Sequence, residues 1–94
     1  MNKYESVIII EPNLEEKHIE DVLKNVTNKI KEFSKECEIT RIGKKKLAYE
    51  IKHNIMGYYA LIEFETDDKK AIPEIERFYR ITDEIMKFIV VKKD

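Results

Sequence analysis

Residues 37–65 read CEITRIGKKKLAYEIKHNIMGYYALIEFE, and this stretch decides the fold. Its apolar residues and composition predict a long strand over Cys37–Lys52, a short turn over His53–Met56 and another strand over 57–65. Gly43 interrupts the first of these strands and predicts a bend or a bulge there. The two strands follow each other directly, so they are predicted to form a hairpin.

A turn of four residues sets the predicted register of this hairpin. The predicted pairs are Lys52 with Gly57, Ile51 with Tyr58, Tyr49 with Ala60, and Leu47 with Ile62. Because side chains alternate along a strand, the apolar members of these pairs, together with Phe64, are predicted to share one face under the helices.

The chain before the hairpin predicts a strand followed by a helix. Residues 3–10 are rich in β-branched residues, and Pro12 ends the strand that they predict. Asn13 is predicted to cap the helix, with Glu16 in the capping-box position. Apolar residues at spacings of three and four then predict a helix that ends near Ser34.

The chain after the hairpin predicts a second helix and a last strand. Caps at 66–68 begin a helix that reaches about Tyr79, with Pro73 in its first turn, and Ile85–Lys92 follows as a strand. The order βαββαβ predicts a ferredoxin-like α+β fold, in which a four-stranded antiparallel sheet has both helices on one face. The first and third strands are the most continuously apolar and are predicted to be central. Residues 1–94 are predicted to form a single domain.

The sheet face away from the helices is predicted to be apolar at its centre. Alternation places six residues there: Val7, Ile9, Tyr59, Leu61, Ile89 and Val91. Strand propensity alone favours such residues. A contiguous apolar patch more often marks an interface, however, so we expect this face to bind a protein partner.

The positive charge of the chain is local. The sequence has 18 Lys and Arg residues against 19 Asp and Glu, a net charge of −1, so nucleic-acid binding would need a basic patch. Ile39–Tyr49 contains no acidic residue. The predicted RNA-binding residues are Lys3, Arg41, Lys44, Lys45, Lys46, Lys52, Arg80 and Lys92. These side chains suit phosphate contacts. Lysines on an edge strand also deter aggregation, and spacing alone leaves both explanations open.

The sequence has no catalytic or metal-binding pattern. His18 and His53 lie in separate elements, and Cys37 has no histidine near it in the sequence. The two glycines, Gly43 and Gly57, do not form a phosphate-binding loop. No stretch is long enough to span a membrane, the first residues do not resemble a signal peptide, and the lone cysteine indicates the cytosol. We expect no enzyme activity, no cofactor and no small-molecule substrate.

Four stretches together resemble the bacterial small-subunit ribosomal protein S-six family. GKKKLAYEI (43–51) is similar to the family signature, in which a glycine and basic residues precede Leu-Ala-Tyr-x-Ile. YESVIIIEPNL (4–14), GYYALIEF (57–64) and ERFYRITDEIMKFIVVK (76–92) extend the resemblance over essentially the whole chain. Glu50, where the family commonly has proline, and Pro73 depart from the pattern.

The resemblance implies a structural role in the platform of the small ribosomal subunit, in the cytoplasm. It implies binding to small-subunit ribosomal RNA beside ribosomal protein S-eighteen, without catalysis. One rival is a stand-alone RNA-recognition-motif module, since GYYALIEF also resembles its third strand. One residue is inserted between Tyr58 and Phe64, so the stacking aromatic residues would no longer share the open face, which weakens that rival. A second rival is a small-molecule regulatory domain of the same topology.

Overall fold

The computed structural model describes residues 2–93 and has its elements in the predicted order. The elements are β1 Asn2–Ile10, α1 Glu16–Lys31, β2 Cys37–Ile51, β3 Asn54–Thr66, α2 Ala71–Ile81 and β4 Ile85–Lys93. The sheet order is β2-β3-β1-β4, and every neighbouring pair is antiparallel. The predicted ferredoxin-like fold is confirmed, with β1 and β3 at the centre of the sheet.

Both helices pack their apolar sides on one face of the sheet. Ile8 of β1 and Ile62 of β3 are fully buried, and they belong to one cluster with Val26 of α1 and Ile75 of α2. The alternation predicted for β1, β3 and β4 is therefore correct, because the even-numbered residues of β1 and β3 face the helices, and Phe88 and Val90 of β4 pack against the same cluster. We call the opposite side of the sheet the open face.

One polar pair lies inside this core. The hydroxyl oxygens of Ser6 and Tyr79 are 2.8 Å apart, and both residues are almost completely buried. Burial raises the pKa of Tyr79 well above its usual value, so the phenol stays neutral. Each hydroxyl group is the hydrogen-bond partner of the other, because neither is exposed to water.

The first helix begins later than predicted. Glu15, with extended backbone angles (φ −65°, ψ 152°), precedes the helix, and no side chain caps it. The predicted cap at Asn13 and its capping box are wrong. Pro12 is buried and Leu14 packs against the core, so the packing of this connection holds the chain out of the helix until Glu16. Pro73 lies in the first turn of α2, as predicted.

The hairpin has a shorter turn than predicted. Lys52 and His53 form a two-residue turn with left-handed backbone angles (φ 48° and 66°), and Ile51 pairs with Asn54. The observed pairs are Tyr58 with Lys44, Ala60 with Arg41, and Ile62 with Ile39. The predicted pairing of this hairpin is therefore wrong.

An excursion of β2 causes the difference. Lys46 pairs with Met56 and Ile51 pairs with Asn54, so residues Leu47–Glu50 lie opposite Ile55 alone. We call Leu47–Glu50 the bulge segment. Alternation cannot be continued through such an insertion, so the facing inferred for residues beyond Lys46 fails.

A second irregularity of β2 was predicted correctly. Gly43 has φ +100°, and the register shifts between Arg41 and Gly43. The bend or bulge expected at this glycine is therefore confirmed.

The bulge segment lies over the open face. Leu47 is buried, but against Ile9 of the open face and not under the helices. Gly57 makes this contact possible, because a Cβ there would overlap Cγ2 of Ile9 and lie 3.0 Å from Cδ2 of Leu47. Tyr49, predicted to be in the core, is 64% exposed. Ile51 lines the same small cleft as Ile9 and is half-buried, so its predicted place under the helices is also wrong.

Candidate nucleic-acid and protein interfaces

Four of the eight predicted RNA-binding residues lie together at the end of the sheet that carries the β2–β3 turn, which we call the hairpin end. They are Lys44, Lys45, Lys46 and Lys52, and all four are exposed. Lys44 lies opposite Tyr58, a helix-side residue, whereas Lys45 lies opposite Gly57 and therefore on the open face. Within residues 2–93 none of these four ammonium groups forms an ion pair with a carboxylate. Their charge is available to a ligand.

Two other predicted residues, Lys3 and Lys92, lie at the far end of the sheet. Lys3 pairs with Glu65 across β1 and β3, and their side chains form a 3.8 Å ion pair. Lys92 lies opposite Tyr4, next to Lys3 on β1. Glu65 is eight positions along β3 from Gly57, the residue that pairs with Lys45, which is a distance of about 27 Å. The predicted lysines therefore form two groups and not one patch.

Arg41 holds two elements of the fold together. One of its terminal nitrogens donates to both carboxylate oxygens of Glu16 on α1 at 2.6 Å, and Nε donates to the Tyr58 hydroxyl at 2.6 Å. The hydrogen bond to Glu16 is the main reason that the pKa of Arg41 is raised. An RNA phosphate would have to compete with these contacts for the guanidinium group.

Arg80 lies in the last turn of α2. Its guanidinium carbon is 5.7 Å from the centre of the Phe88 ring, and one nitrogen is 4.0 Å from a carboxylate oxygen of Glu76. The side chain remains 64% exposed, so these contacts leave much of its surface open to solvent.

The apolar patch predicted on the open face is contiguous. Val7 of β1 lies between Leu61 of β3 and Ile89 of β4, which gives an apolar row across three strands. Ile89 is 54% exposed and Val91 is 49% exposed, while Val7, Tyr59 and Leu61 are half-buried. Ile9 is on this face as predicted, but only 9% of its surface is exposed because Leu47 lies against it. The patch has five accessible members.

Carboxylates surround the patch at the far end. Glu5 and Glu63 are paired residues on the open face, and the Lys93 ammonium lies 3.4 Å from the first and 3.2 Å from the second. The hydrogen bond to Glu63 is the first cause of a raised pKa for Lys93. Glu38 of β2 lies opposite Glu63 and adds a third carboxylate. The open face thus runs from acidic at the far end, through apolar, to basic at the hairpin end.

Two residues at the hairpin end were missed in the sequence. Lys87 of β4 donates a hydrogen bond from Nζ to the Tyr49 hydroxyl at 2.9 Å, across the two central strands. This bond lowers the pKa of Tyr49 and raises that of Lys87. Alternation with Ile89 could have placed Lys87 on the open face. Tyr49 could not have been found, because the bulge segment reverses its predicted facing.

A surface cleft at the far end of the sheet contains the single cysteine of the sequence. The cleft, of about 420 Å³, is lined by Lys3, Tyr4, Glu36, Cys37, Glu38, Glu63, Phe64, Glu65 and Lys93. Burial raises the pKa of the Cys37 thiol, which disfavours a nucleophilic thiolate. Between residues 2 and 93 no three His, Cys, Asp or Glu side chains meet as a metal-ion site. No helix in that range is both long and apolar enough to cross a membrane.

The aromatic residues of β3 do not form an RNA-recognition-motif surface. Tyr58 faces the helix side and accepts a hydrogen bond from Arg41, and Phe64 is buried in the core. Tyr59 is the aromatic residue of β3 on the open face, where it pairs with Ile9. As predicted, Tyr58 and Phe64 do not share the open face, although both of them lie on the same, helix-facing side of the sheet.

Comparisons with known proteins agree on one family. The family described as Ribosomal protein S6 matches residues 3–92. The small ribosomal subunit protein bS6 of Heliobacterium modesticaldum is 35% identical over all of this chain and 98% of its own length. That of Clostridium kluyveri is 38% identical over all of this chain and 99% of its own length.

Solved structures give the same result. A crystal structure of 30S ribosomal protein S6 from Thermotoga maritima is 36% identical and superposes with a TM-score of 0.90, covering 98% of this chain and 87% of that one. A protein from Arabidopsis thaliana, 17% identical with a TM-score of 0.63, shares the fold alone. The resemblance seen in the sequence is therefore confirmed, and the chain belongs to the ribosomal protein S6 family of the small ribosomal subunit.

Proposed function

We propose that this chain is a non-enzymatic structural component of the small ribosomal subunit that binds small-subunit ribosomal RNA together with a partner protein of the S-eighteen type. It would act on the ribosome in the cytoplasm. The observation that carries the proposal is the separation of two surfaces on one domain. A group of lysines without ion pairs within residues 2–93 lies at the hairpin end, and a contiguous apolar patch lies on the open face.

The lysines at the hairpin end supply the RNA contacts in this proposal. Each cation that neutralises a phosphate releases counterions, which makes binding favourable and dependent on salt. The chain as a whole has a net charge of −1, so its carboxylates oppose the approach of RNA. A few lysines on a nearly neutral domain give weak binding, and a second protein would have to add further contacts.

The apolar patch supplies the contact with that second protein. Ile89 and Val91 are exposed in the free chain, and covering them would remove apolar area from water. The neighbouring Glu5, Glu38 and Glu63 favour a partner with basic side chains. A basic partner seated here would also extend the positive surface offered to RNA.

The two binding events should therefore be coupled. We expect labelled small-subunit ribosomal RNA to bind the chain weakly alone and much more tightly with the partner present. Coupling is reciprocal, so the RNA should equally tighten the protein pair. Equal affinity with and without the partner would favour a self-sufficient RNA-recognition domain. Self-association through the open face, with no RNA binding, would favour the regulatory-domain alternative.

The RNA surface is tested by charge removal at the hairpin end. Replacing both Lys44 and Lys46 with Ala should reduce the slope of log affinity against log salt by roughly 1.4–1.8, because two phosphate contacts are lost. Replacing both Lys17 and Lys24 of α1 with Ala removes the same charge elsewhere and is the matched control. If the two pairs of substitutions lower the slope equally, the hairpin end is not the RNA surface.

The partner surface is tested by a charge on the open face. Leu61→Glu should abolish capture of the partner in a pull-down, because the carboxylate would be buried in the complex. Ile81→Glu, on an exposed residue of α2, is the matched control and should bind the partner normally. Normal capture by the Leu61 variant would remove the open face from the proposal.

A further inference from the structure

Tyr49 has an exposed aromatic ring that the proposed function leaves unexplained. It lies in the bulge segment and is 64% exposed, so at least one face of the ring is open to solvent. The Lys87 ammonium is 2.9 Å from the hydroxyl oxygen and 5.2 Å from the ring centre. These two distances place the ammonium beside the hydroxyl and not over the middle of the ring.

The ring is also held in place. Leu47 is buried on Ile9 at the start of the bulge segment, and the hydrogen bond from Lys87 fixes the hydroxyl of Tyr49. A side chain fixed at both its backbone and its tip loses little freedom when a ligand covers it. The ring is thus oriented by the Lys87 contact before a ligand arrives.

The surroundings of the ring are basic. Lys45, two residues before the bulge segment, projects on the open face over which that segment lies, and Lys87 contacts the ring's hydroxyl. The nearest acidic residue in the segment, Glu50, has its carboxylate 3.7 Å from Nδ1 of His53. An aromatic ring among cations matches a nucleotide, which has a flat base and a phosphate. The core of a protein interface is depleted of lysine, so this setting favours RNA over a protein ligand.

We propose that Tyr49 stacks on an unpaired base of RNA while Lys45 and Lys87 contact the adjoining phosphates. The inference rests on the proposed function and deepens it, because it specifies the RNA at the hairpin end as a loop, bulge or other unpaired segment. Bases inside a continuous A-form helix are stacked on each other and cannot reach a protein ring.

The test uses the absence of tryptophan from the sequence. Tyr49→Trp introduces a single indole, and stacking should quench its fluorescence when a short single-stranded oligouridylate is added. An RNA duplex of the same length should cause little quenching. Ribosomal RNA, added with the partner protein, should quench it as the oligouridylate does.

Affinity for the oligouridylate gives a second measurement. Tyr49→Phe keeps the ring but loses the hydrogen bond from Lys87 that orients it, so it should bind a little more weakly than wild type. Tyr49→Leu has no ring and should bind roughly 5- to 100-fold more weakly. Both variants change an exposed residue, and their melting temperatures should confirm that they fold.

Several results would overturn the inference. Wild-type affinity of the Leu variant, equal quenching by duplex, or quenching by the partner protein alone would each show that the ring does not stack on an unpaired base. In all three cases RNA binding by the wild type would leave the proposed function standing. If wild-type protein with its partner does not bind ribosomal RNA at all, the proposed function fails and this inference fails with it.

Discussion

Gly57→Ala is a direct test of the bulge segment. The added methyl group would overlap Cγ2 of Ile9, lie 3.0 Å from Cδ2 of Leu47 and touch Cε of Met86 at 3.5 Å. The Met86 contact is ordinary, and the Leu47 side chain is flexible at its end. Ile9 is β-branched and buried, so its methyl group cannot rotate away without leaving its preferred rotamer. The strain therefore falls on Ile9 and on the position of Leu47.

The size of the effect follows from two opposing terms. Overpacking of this kind costs about 1–3 kcal/mol. Replacing glycine also restricts the unfolded chain, which returns about 0.4–1 kcal/mol. We expect a net loss of about 1–2 kcal/mol in the free energy of unfolding, or a fall in Tm of roughly 4–16 °C for a domain of this size.

Urea unfolding and thermal melts measure this loss, and a double-mutant cycle assigns its cause. Ile9→Ala removes the methyl group that Gly57→Ala would strike, so the double variant should be more stable than the sum of the two single losses predicts. Additive losses, or wild-type stability of Gly57→Ala, would mean that Ile9 and Leu47 do not meet over Gly57. The placement of the bulge segment on the open face would then be wrong.

Three further predictions concern the rest of the fold. Gly43→Ala should lower the free energy of unfolding, measured in urea, by about 1–2 kcal/mol. The positive φ of Gly43 is the whole cause, since no atom lies within 4 Å of the added methyl group, and wild-type stability of the variant would refute this. Tyr79→Phe should lower the free energy of unfolding by about 1–3 kcal/mol, because it leaves the buried Ser6 hydroxyl unpaired. Adding Ser6→Ala should restore much of this stability, and additive losses would contradict the hydrogen bond. The hydrogen bond with His18 lowers the pKa of Glu84 in the folded protein below its ordinary 4.5. This bond therefore stabilises the fold above pH 4.5, and the stabilisation is lost as the pH falls through the lowered pKa of the folded state. Glu84→Gln should therefore lower the free energy of unfolding by less than about 1 kcal/mol at pH 6, and calorimetry should find that this difference shrinks in acid. A difference independent of pH would exclude the hydrogen bond with His18 as its cause.

The sequence predicted the fold wherever one periodic pattern ran unbroken. In β1 the alternate residues Ile8 and Ile10 are buried under the helices, while Val7 remains on the open face, as alternation required. The same pattern placed Leu61 and Ile89 correctly on neighbouring strands. Burial of one face specifies a register strongly, because a shift by one residue would expose the apolar side chains of these strands.

The residues at the turn of the hairpin do not indicate how long that turn is. A two-residue turn with left-handed angles usually contains asparagine and glycine, whereas this one contains Lys52 and His53. Asn54 and the residues after it looked like part of a longer turn. The cap of α1 failed for a related reason, because the burial of Pro12 and Leu14 is a tertiary effect that outweighs the capping preference of Asn13.

The candidate site was predictable in its composition but not in its arrangement. The lysine run is visible in the sequence, yet the availability of each charge depends on partners that are distant along the chain. Arg41 is held by Glu16, which lies on a different element, while Lys44 forms no such pair within residues 2–93. A sequence shows which residues are basic, and only the packing of the helices against β2 shows which of them are already engaged.

The break in pairing after Lys46 explains why lysines and a tyrosine occur in one short stretch. Up to Lys46, β2 is hydrogen-bonded to β3, so the lysines project from a rigid ladder at fixed spacing. After Lys46 the backbone leaves that ladder, and Leu47 holds the bulge segment on the open face. Tyr49 can then reach Lys87 on the opposite edge strand, across the two central strands. In the proposed function, the stretch GKKKLAYEI joins lysines that contact phosphate to an aromatic ring that contacts a base, and this arrangement requires the irregularity that made the register unpredictable.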